Sequence, residues 1–175
     1  MKKILLATLL LLLLASTNSF AATTDNFTVT TTVAEIGLMK ITTASIGTNN
    51  TLSAYNGLSN FTNYGVTGSG AKGTVAYLTT LSNKRTGYKV TMSASAMTSP
   101  GTPITYIKYT VNCNGVQLVP SGATALGPVD VLTVTTLSSL TASSKAITLT
   151  IDPTTYDAAA SGSYTGTVTF TFTAT

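Results

Sequence analysis

The chain of 175 residues contains no histidine and only five acidic residues. General acid–base catalysis, most metal sites and the usual serine or cysteine triads depend on histidine. Paired-carboxylate catalysis and calcium loops need a denser set of oxygen ligands than these isolated acids supply, which are Asp25, Glu35, Asp130, Asp152 and Asp157. The composition therefore argues against an enzyme, and it predicts no cofactor and no metal site.

Cysteine is almost absent as well. Cys113 is the only one, so no disulfide can form within the chain. It follows Ile107, Tyr109 and Val111 at intervals of two residues, in phase with their apolar side chains. A nucleophilic thiol would need an activating base, and histidine is missing. Cys113 is therefore predicted to be buried as a small apolar residue.

Long apolar runs are confined to the N-terminus. Lys2 and Lys3 precede a leucine-rich run over residues 4–15, and Ser19 and Ala21 supply the small residues typical of a cleavage site. The run is shorter than the roughly 18–20 apolar residues that a membrane-spanning helix needs. Residues 1–21 are therefore predicted to be a secretory signal peptide, and the mature protein to be exported.

Charged residues make up only 8% of the chain. The net charge of +4 falls to +2 without Lys2 and Lys3, since seven basic residues then remain against five acidic ones. Only Lys84, Arg85 and Lys89 lie near one another, and a solvated turn explains that group better than a phosphate-binding patch. Nucleic acid is not a predicted partner.

Most of the chain consists of segments with the alternating pattern of β-strands. Apolar and polar residues alternate, with turn residues between the runs, in six segments: residues 73–80, 87–94, 105–113, 129–136, 146–151 and 165–175. No segment has a convincing helical period, and residues 156–163 could hold at most one short turn. Roughly seven to nine short strands in about 150 residues predict an all-β fold, an antiparallel two-sheet sandwich.

The region between residues 47 and 73 is rich in Asn, Gly and Ser and is predicted to be mainly loop. Residues 68–73 match the glycine pattern of a dinucleotide-binding turn. That turn must follow a strand and open a helix, whereas a strand pattern follows here. We therefore expect these glycines to form a flexible loop.

The mature chain begins with a clear alternating segment, residues 22–33. Its apolar face carries Phe27, Val29, Thr31 and Val33, and threonines occupy the other face. The last segment has the same pattern: Val168, Phe170, Phe172 and Ala174 form one row, and the final eleven residues contain no ionisable side chain. An edge strand without charge or proline is unprotected, so another strand is expected to pair with it.

These features together resemble a subunit of chaperone–usher pili and capsule-like fibres of the F1-antigen type. The resemblance depends on the signal peptide, the alternating arm of residues 22–33 followed by a second β segment (residues 35–43), the terminal strand, and Gly162, fourteenth from the C-terminus. It implies that residues 34–175 form an immunoglobulin-like sandwich that lacks its final strand.

The resemblance further implies how the sandwich is completed. A periplasmic chaperone would cover the groove beside Gly162 and the Val168–Ala174 row first, and an outer-membrane usher would assemble the subunits. The arm of another copy would then fill the groove as a donor strand, giving a head-to-tail surface fibre that could also bind a host receptor. The alternative is a self-contained secreted sandwich, a surface, coat or binding protein whose N-terminal strand pairs internally. A secreted enzyme is the third hypothesis for its function.

Overall fold

Residues 26–175 are described by the computed structural model. The predicted signal peptide and the first four residues of the arm lie outside the described residues. The chain divides into two compact units, Met1–Val33 and Ala34–Thr175. In the first unit, residues 26–33 are exposed and have no regular secondary structure, although their alternating pattern predicted a strand. A lone segment gains no ladder hydrogen bonds until it pairs with another strand.

Short β-strands dominate the second unit, because its β-branched and aromatic residues suit a pleated sheet. The strands are β1 (Gly37–Thr42), β2 (Gly70–Ser82), β3 (Tyr88–Ala94), β4 (Met97–Ser99), β5 (Thr105–Ile107), β6 (Tyr109–Cys113), β7 (Val116–Leu118), β8 (Leu126–Val134), β9 (Thr141–Ile151) and β10 (Val168–Ala174). Two short helices, α1 (Leu52–Gly57) and α2 (Pro153–Asp157), interrupt them. The predicted all-β fold is confirmed. Within the described part of the chain, no helix is long and apolar enough to cross a membrane.

The strands form two main sheets. The larger has the order β1-β2-β9-β6-β7, the smaller has the order β10-β3-β8, and β4 pairs with β5. Every pairing between these strands is antiparallel. The longest ladder joins β2 to β9, from Gly70 opposite Ile151 to Ser82 opposite Thr141.

The two main sheets share one hydrophobic core, in a sandwich-like arrangement. Leu78 and Val111 come from the larger sheet and Val90 and Met92 from the smaller, and all four are completely buried. Alternate residues of β3 and β6 are buried, as their period predicted. The predicted burial of Cys113 is confirmed, since its exposed fraction is 0%.

The glycine-rich segment departs from the prediction of a flexible loop, which is wrong for residues 70–73. β2 begins at Gly70 and continues through Gly73, and the ladder with β9 shifts register between Ala71 and Gly73. Gly70 and Gly73 have φ values of +85° and +64°, which glycine adopts without strain. A bulge of this kind needs such residues within a strand.

The helices are a second departure from the sequence pattern, and capping accounts for both. Thr51 Oγ1 accepts a hydrogen bond from the Ala54 backbone N–H (3.1 Å) at the start of α1. Asp152 Oδ1 accepts one from Thr155 N–H (2.9 Å) at the start of α2, where Pro153 occupies the first turn. Such caps stabilise helices too short to show a helical period.

Candidate functional site

β10 has one unpaired edge. It pairs with β3, from Val168 opposite Ala94 to Ala174 opposite Tyr88. It is the outermost strand of its sheet, so within residues 26–175 no strand pairs with its other edge. The backbone N–H and C=O groups along such an edge are free to pair with an added strand.

β1 is the outermost strand of the other sheet, and its first residue lies close to the end of β10. A Cβ atom built on Gly37 would lie 3.3 Å from Phe172 Cε1. The Phe172 ring also stacks on the Tyr88 ring, with centroids 4.9 Å apart and an interplanar angle of 22°. The two sheet edges therefore meet at this end, which we call the root end because β1 starts there.

Away from the root end, a groove of about 770 Å³ opens beside β10. Its walls include apolar side chains of the two main sheets, among them Ile41, Val75, Ile147, Leu149, Ile151, Val168 and Phe170, and Ile107 of β5 also lines it. Several of these residues are only half-buried although they pack against the core. The groove therefore exposes part of the sandwich interior.

The end of the groove away from Gly37 and Phe172, which we call the far end, is lined by two irregular segments, residues 61–66 and 162–167. The first is tied to β1 where Phe61 N–H donates to the Ile41 carbonyl at 2.9 Å. The second is held by the Tyr164 hydroxyl, 2.7 Å from Thr105 Oγ1. The sequence prediction included Gly162 and, from Thr165 onward, the last strand segment, but it missed residues 61–66, which have no strand period. Aromatic residues in a polar, glycine-containing stretch, such as Tyr64, were the available signal.

The residues predicted for the acceptor groove fall in three places. Gly162, Val168 and Phe170 line the groove. Phe172 closes the root end, and Ala174 is exposed at the end of β10. A Cβ on Gly162 would lie 3.0 Å from Ser99 Oγ, so the absence of a side chain there lets the chain approach β4 closely.

The residues predicted for the donor arm are all exposed. Phe27, Val29 and Val33 are 88%, 80% and 78% exposed, the highest values among the exposed large apolar side chains of the described residues. Thr31 between them is exposed as well. Phe27, Val29 and Val33 are separated by even numbers of residues, so they would share one face of an extended strand.

The groove lining also includes polar side chains, among them Thr62, Asn63, Ser163, Thr165 and Thr167. The Tyr109 hydroxyl donates to the Ser95 carbonyl at 2.8 Å, and burial raises its pKa to about 12. In the described chain no three His, Cys, Asp or Glu residues are grouped as metal ligands would be, and every fully buried side-chain N or O atom has a hydrogen-bond partner. The groove offers apolar contacts together with the hydroxyl and amide groups of these lining residues.

The other edges of the two sheets also approach each other. There β7 and β8 are neighbours, and Asn114 Nδ2 donates to the Val131 carbonyl at 2.8 Å. Asn114 has a φ of +54°, which asparagine tolerates better than most residues and which suits the tight turn into Gly115. The groove lies on the side of β1 and β10.

No protein-family model, curated protein or solved structure matches the chain.

Proposed function

We propose that this protein is a structural subunit of a surface fibre, in which the arm of one copy fills the groove of the next. The unit Ala34–Thr175 is then an incomplete immunoglobulin-like sandwich, and residues 22–33 supply the missing strand. The observation that carries the proposal is a match between two parts of the chain. The most exposed large apolar side chains alternate along the arm, and an apolar groove lies beside an unpaired strand edge.

The energetics of such pairing favour a long-lived joint. Burying Phe27, Val29 and Val33 contributes about 1.5–3 kcal/mol for each side chain, before the arm's ordering is counted. The arm backbone would also satisfy the free N–H and C=O groups along β10. Thr31 would occupy the weakly filled position of the row, because its hydroxyl gains little from an apolar wall.

The direction of the donor strand relative to β10 follows from the position of Ala34, which is where the arm leaves the sandwich. The arm leaves its own sandwich at Ala34, the first residue of that unit, just before β1 and therefore at the root end. A donor antiparallel to β10 would bring Val33 to the neighbour's far end, beside residues 162–167. A parallel donor would bring two root ends together, where the second copy's own arm starts. The antiparallel arrangement gives an open head-to-tail contact, which extends as a fibre.

An exported subunit with an open groove would need a partner protein to cover that groove before assembly. An unpaired edge next to exposed apolar side chains is a template for uncontrolled pairing. A periplasmic chaperone that lends a strand to β10 would prevent this, and an outer-membrane usher would exchange that strand for the arm of the next copy. We place the protein on this chaperone–usher route to a surface fibre, with adhesion to a host receptor as a further property of the assembled fibre.

Deletion of residues 22–33 tests the proposal directly. The truncated chain keeps its groove but has no donor, so it should stay monomeric in size-exclusion chromatography while the intact mature chain polymerises. It should also bind a synthetic peptide of residues 23–33, since its groove is vacant. Long polymers from the truncated chain would contradict the proposal.

A self-completed variant gives the converse test. Residues 23–33 are fused after Thr175 through a short flexible linker, which suits an antiparallel donor because it starts at the root end. The fused chain should unfold at a clearly higher temperature than the mature chain, since the added contact is intramolecular. The same fusion carrying Val29→Asp is the matched control and should lose most of that gain. If the mature chain is a stable monomer that neither peptide nor fusion affects, a self-contained sandwich is the correct description.

A further inference from the structure

The residues directly after the arm are held by one asparagine at the root end. Asn83 Oδ1 accepts from Ile36 N–H at 2.7 Å, and Asn83 Nδ2 donates to the Ala34 carbonyl at 2.9 Å. The Asn83 backbone N–H donates to the Ile36 carbonyl at 3.1 Å. One residue therefore makes three hydrogen bonds to the stretch between Ala34 and Ile36.

An ion pair and an apolar contact strengthen the same attachment. Lys84 Nζ lies 2.9 Å from Glu35 Oε1, and the Lys84 side chain is only 20% exposed. The Ile36 side chain packs against a small core cluster that contains Ile46, Tyr55 and Leu81. The three residues that follow the arm are therefore fixed by main-chain, ionic and apolar contacts together.

We infer that Asn83, with the Lys84–Glu35 ion pair, is a clamp that stiffens the joint between consecutive subunits. The inference rests on the proposed function, because it needs an arm that is buried in a neighbour. If Val33 lies in the neighbour's groove, only one Cα–Cα step of about 3.8 Å separates it from the clamped Ala34. No free residue therefore lies between the groove of one subunit and the clamp of the other, so the root end of one sandwich must contact the far end of the next.

A clamped joint and a loose joint give different fibres. A few free residues between the sandwiches would behave as a flexible linker and would let each subunit swivel on its neighbour. The clamp prevents this rotation in the subunit that supplies the arm, and the groove prevents it in the subunit that receives the arm. The wild-type fibre should therefore be straight over many subunits.

Asn83→Ala is the direct test, with fibre straightness in electron micrographs as the readout. The variant keeps the arm and the groove, so it should polymerise to the same extent as wild type. Its fibres should bend more, with a persistence length about twofold or more below that of wild type. A Gly-Ser-Gly-Ser insertion between Val33 and Ala34 provides the reference for a loose joint.

A milder variant guards against a folding defect. Asn83→Asp keeps an acceptor for Ile36 N–H but loses the donor to the Ala34 carbonyl, and it should give intermediate straightness. Each substitution is also placed in the self-completed chain, whose unfolding temperature shows whether the sandwich itself has been damaged. If Asn83→Ala does not fold, Asn83→Asp alone decides the question.

The outcomes separate the clamp from the proposed function. If the wild-type chain forms no polymers, the proposed function fails. If polymers form and the substituted fibres are as straight as wild type, the clamp is overturned while the fibre proposal stands. The same conclusion holds if the insertion leaves the fibres straight, because stiffness then arises from other contacts.

Discussion

Gly37 and Phe172 close the groove at its root end by direct approach of the two sheets. A Cβ on Gly37 would lie 3.3 Å from Phe172 Cε1, so the phenyl ring occupies the space that a side chain at position 37 would need. Gly37 has no positive φ, and its role is therefore to leave space for the ring. One missing side chain on β1 allows an aromatic ring of β10 to seal the junction.

Gly37→Val should destabilise the sandwich by about 1–3 kcal/mol, because the added methyl groups displace the Phe172 ring from its position on Tyr88. Chemical denaturation of the self-completed chain measures this. Gly122→Val is the matched control, since nothing lies within 4 Å of a Cβ there and its φ is not positive. In a Phe172→Ala background the cost of Gly37→Val should largely disappear. Additive effects of the two substitutions would contradict direct contact.

Val29→Asp and Thr30→Asp should affect assembly very differently. The proposal places Val29 in the buried row of the donor strand and Thr30 on its outer face. An aspartate at position 29 would bury a charge without a partner and should reduce the polymer fraction severely. An aspartate at position 30 would remain in water and should be nearly silent. Sedimentation of polymers from equal protein concentrations measures both, and equal losses would mean that the register is wrong.

The buried thiol of Cys113 predicts sensitivity to alkaline pH. Burial raises its pKa from 9.0 to about 11, and the Lys145 charge only partly offsets this. Because the unfolded chain ionises first, stability associated with the neutral thiol should be lost as the pH rises from about 9 towards 11. The unfolding temperature of the mature chain should therefore fall across this window, and thiol reagents should react slowly with the native protein.

Cys113→Ala separates this effect from that of the tyrosines. Burial raises the pKa of Tyr55 and Tyr109 from 10.0 to about 12, so their contribution is lost at higher pH. The alanine variant will start less stable because it leaves a cavity. Its unfolding temperature should nevertheless change less between pH 9 and 10 than that of wild type. Equal slopes for the two proteins would show that Cys113 does not govern this range.

The alternation of strands such as β3 was predictable because burial repeats every second residue there, with Val90 and Met92 inside. The order of the strands was not predictable, since pairing of β2 with β9 brings together residues that are 59 positions apart at Ser82–Thr141 and 81 positions apart at Gly70–Ile151. The groove lining combines residues near Phe61 with residues near Tyr164 for the same reason. The role of Asn83 was equally hidden, because an asparagine after a strand ordinarily indicates only a turn.

The β2–β9 ladder has a consequence for how the chain acquires its structure. β9 begins at Thr141, so the central strand of the larger sheet emerges from synthesis or export well after β2, which ends at Ser82. Until then β2 can pair only with β1, and β6 has no neighbour from the middle of its sheet. Folds dominated by such distant pairings form slowly, typically in milliseconds to seconds. During that interval the chain exposes more open edges than the finished sandwich does, and its vulnerability to misassembly is greatest before β9 arrives.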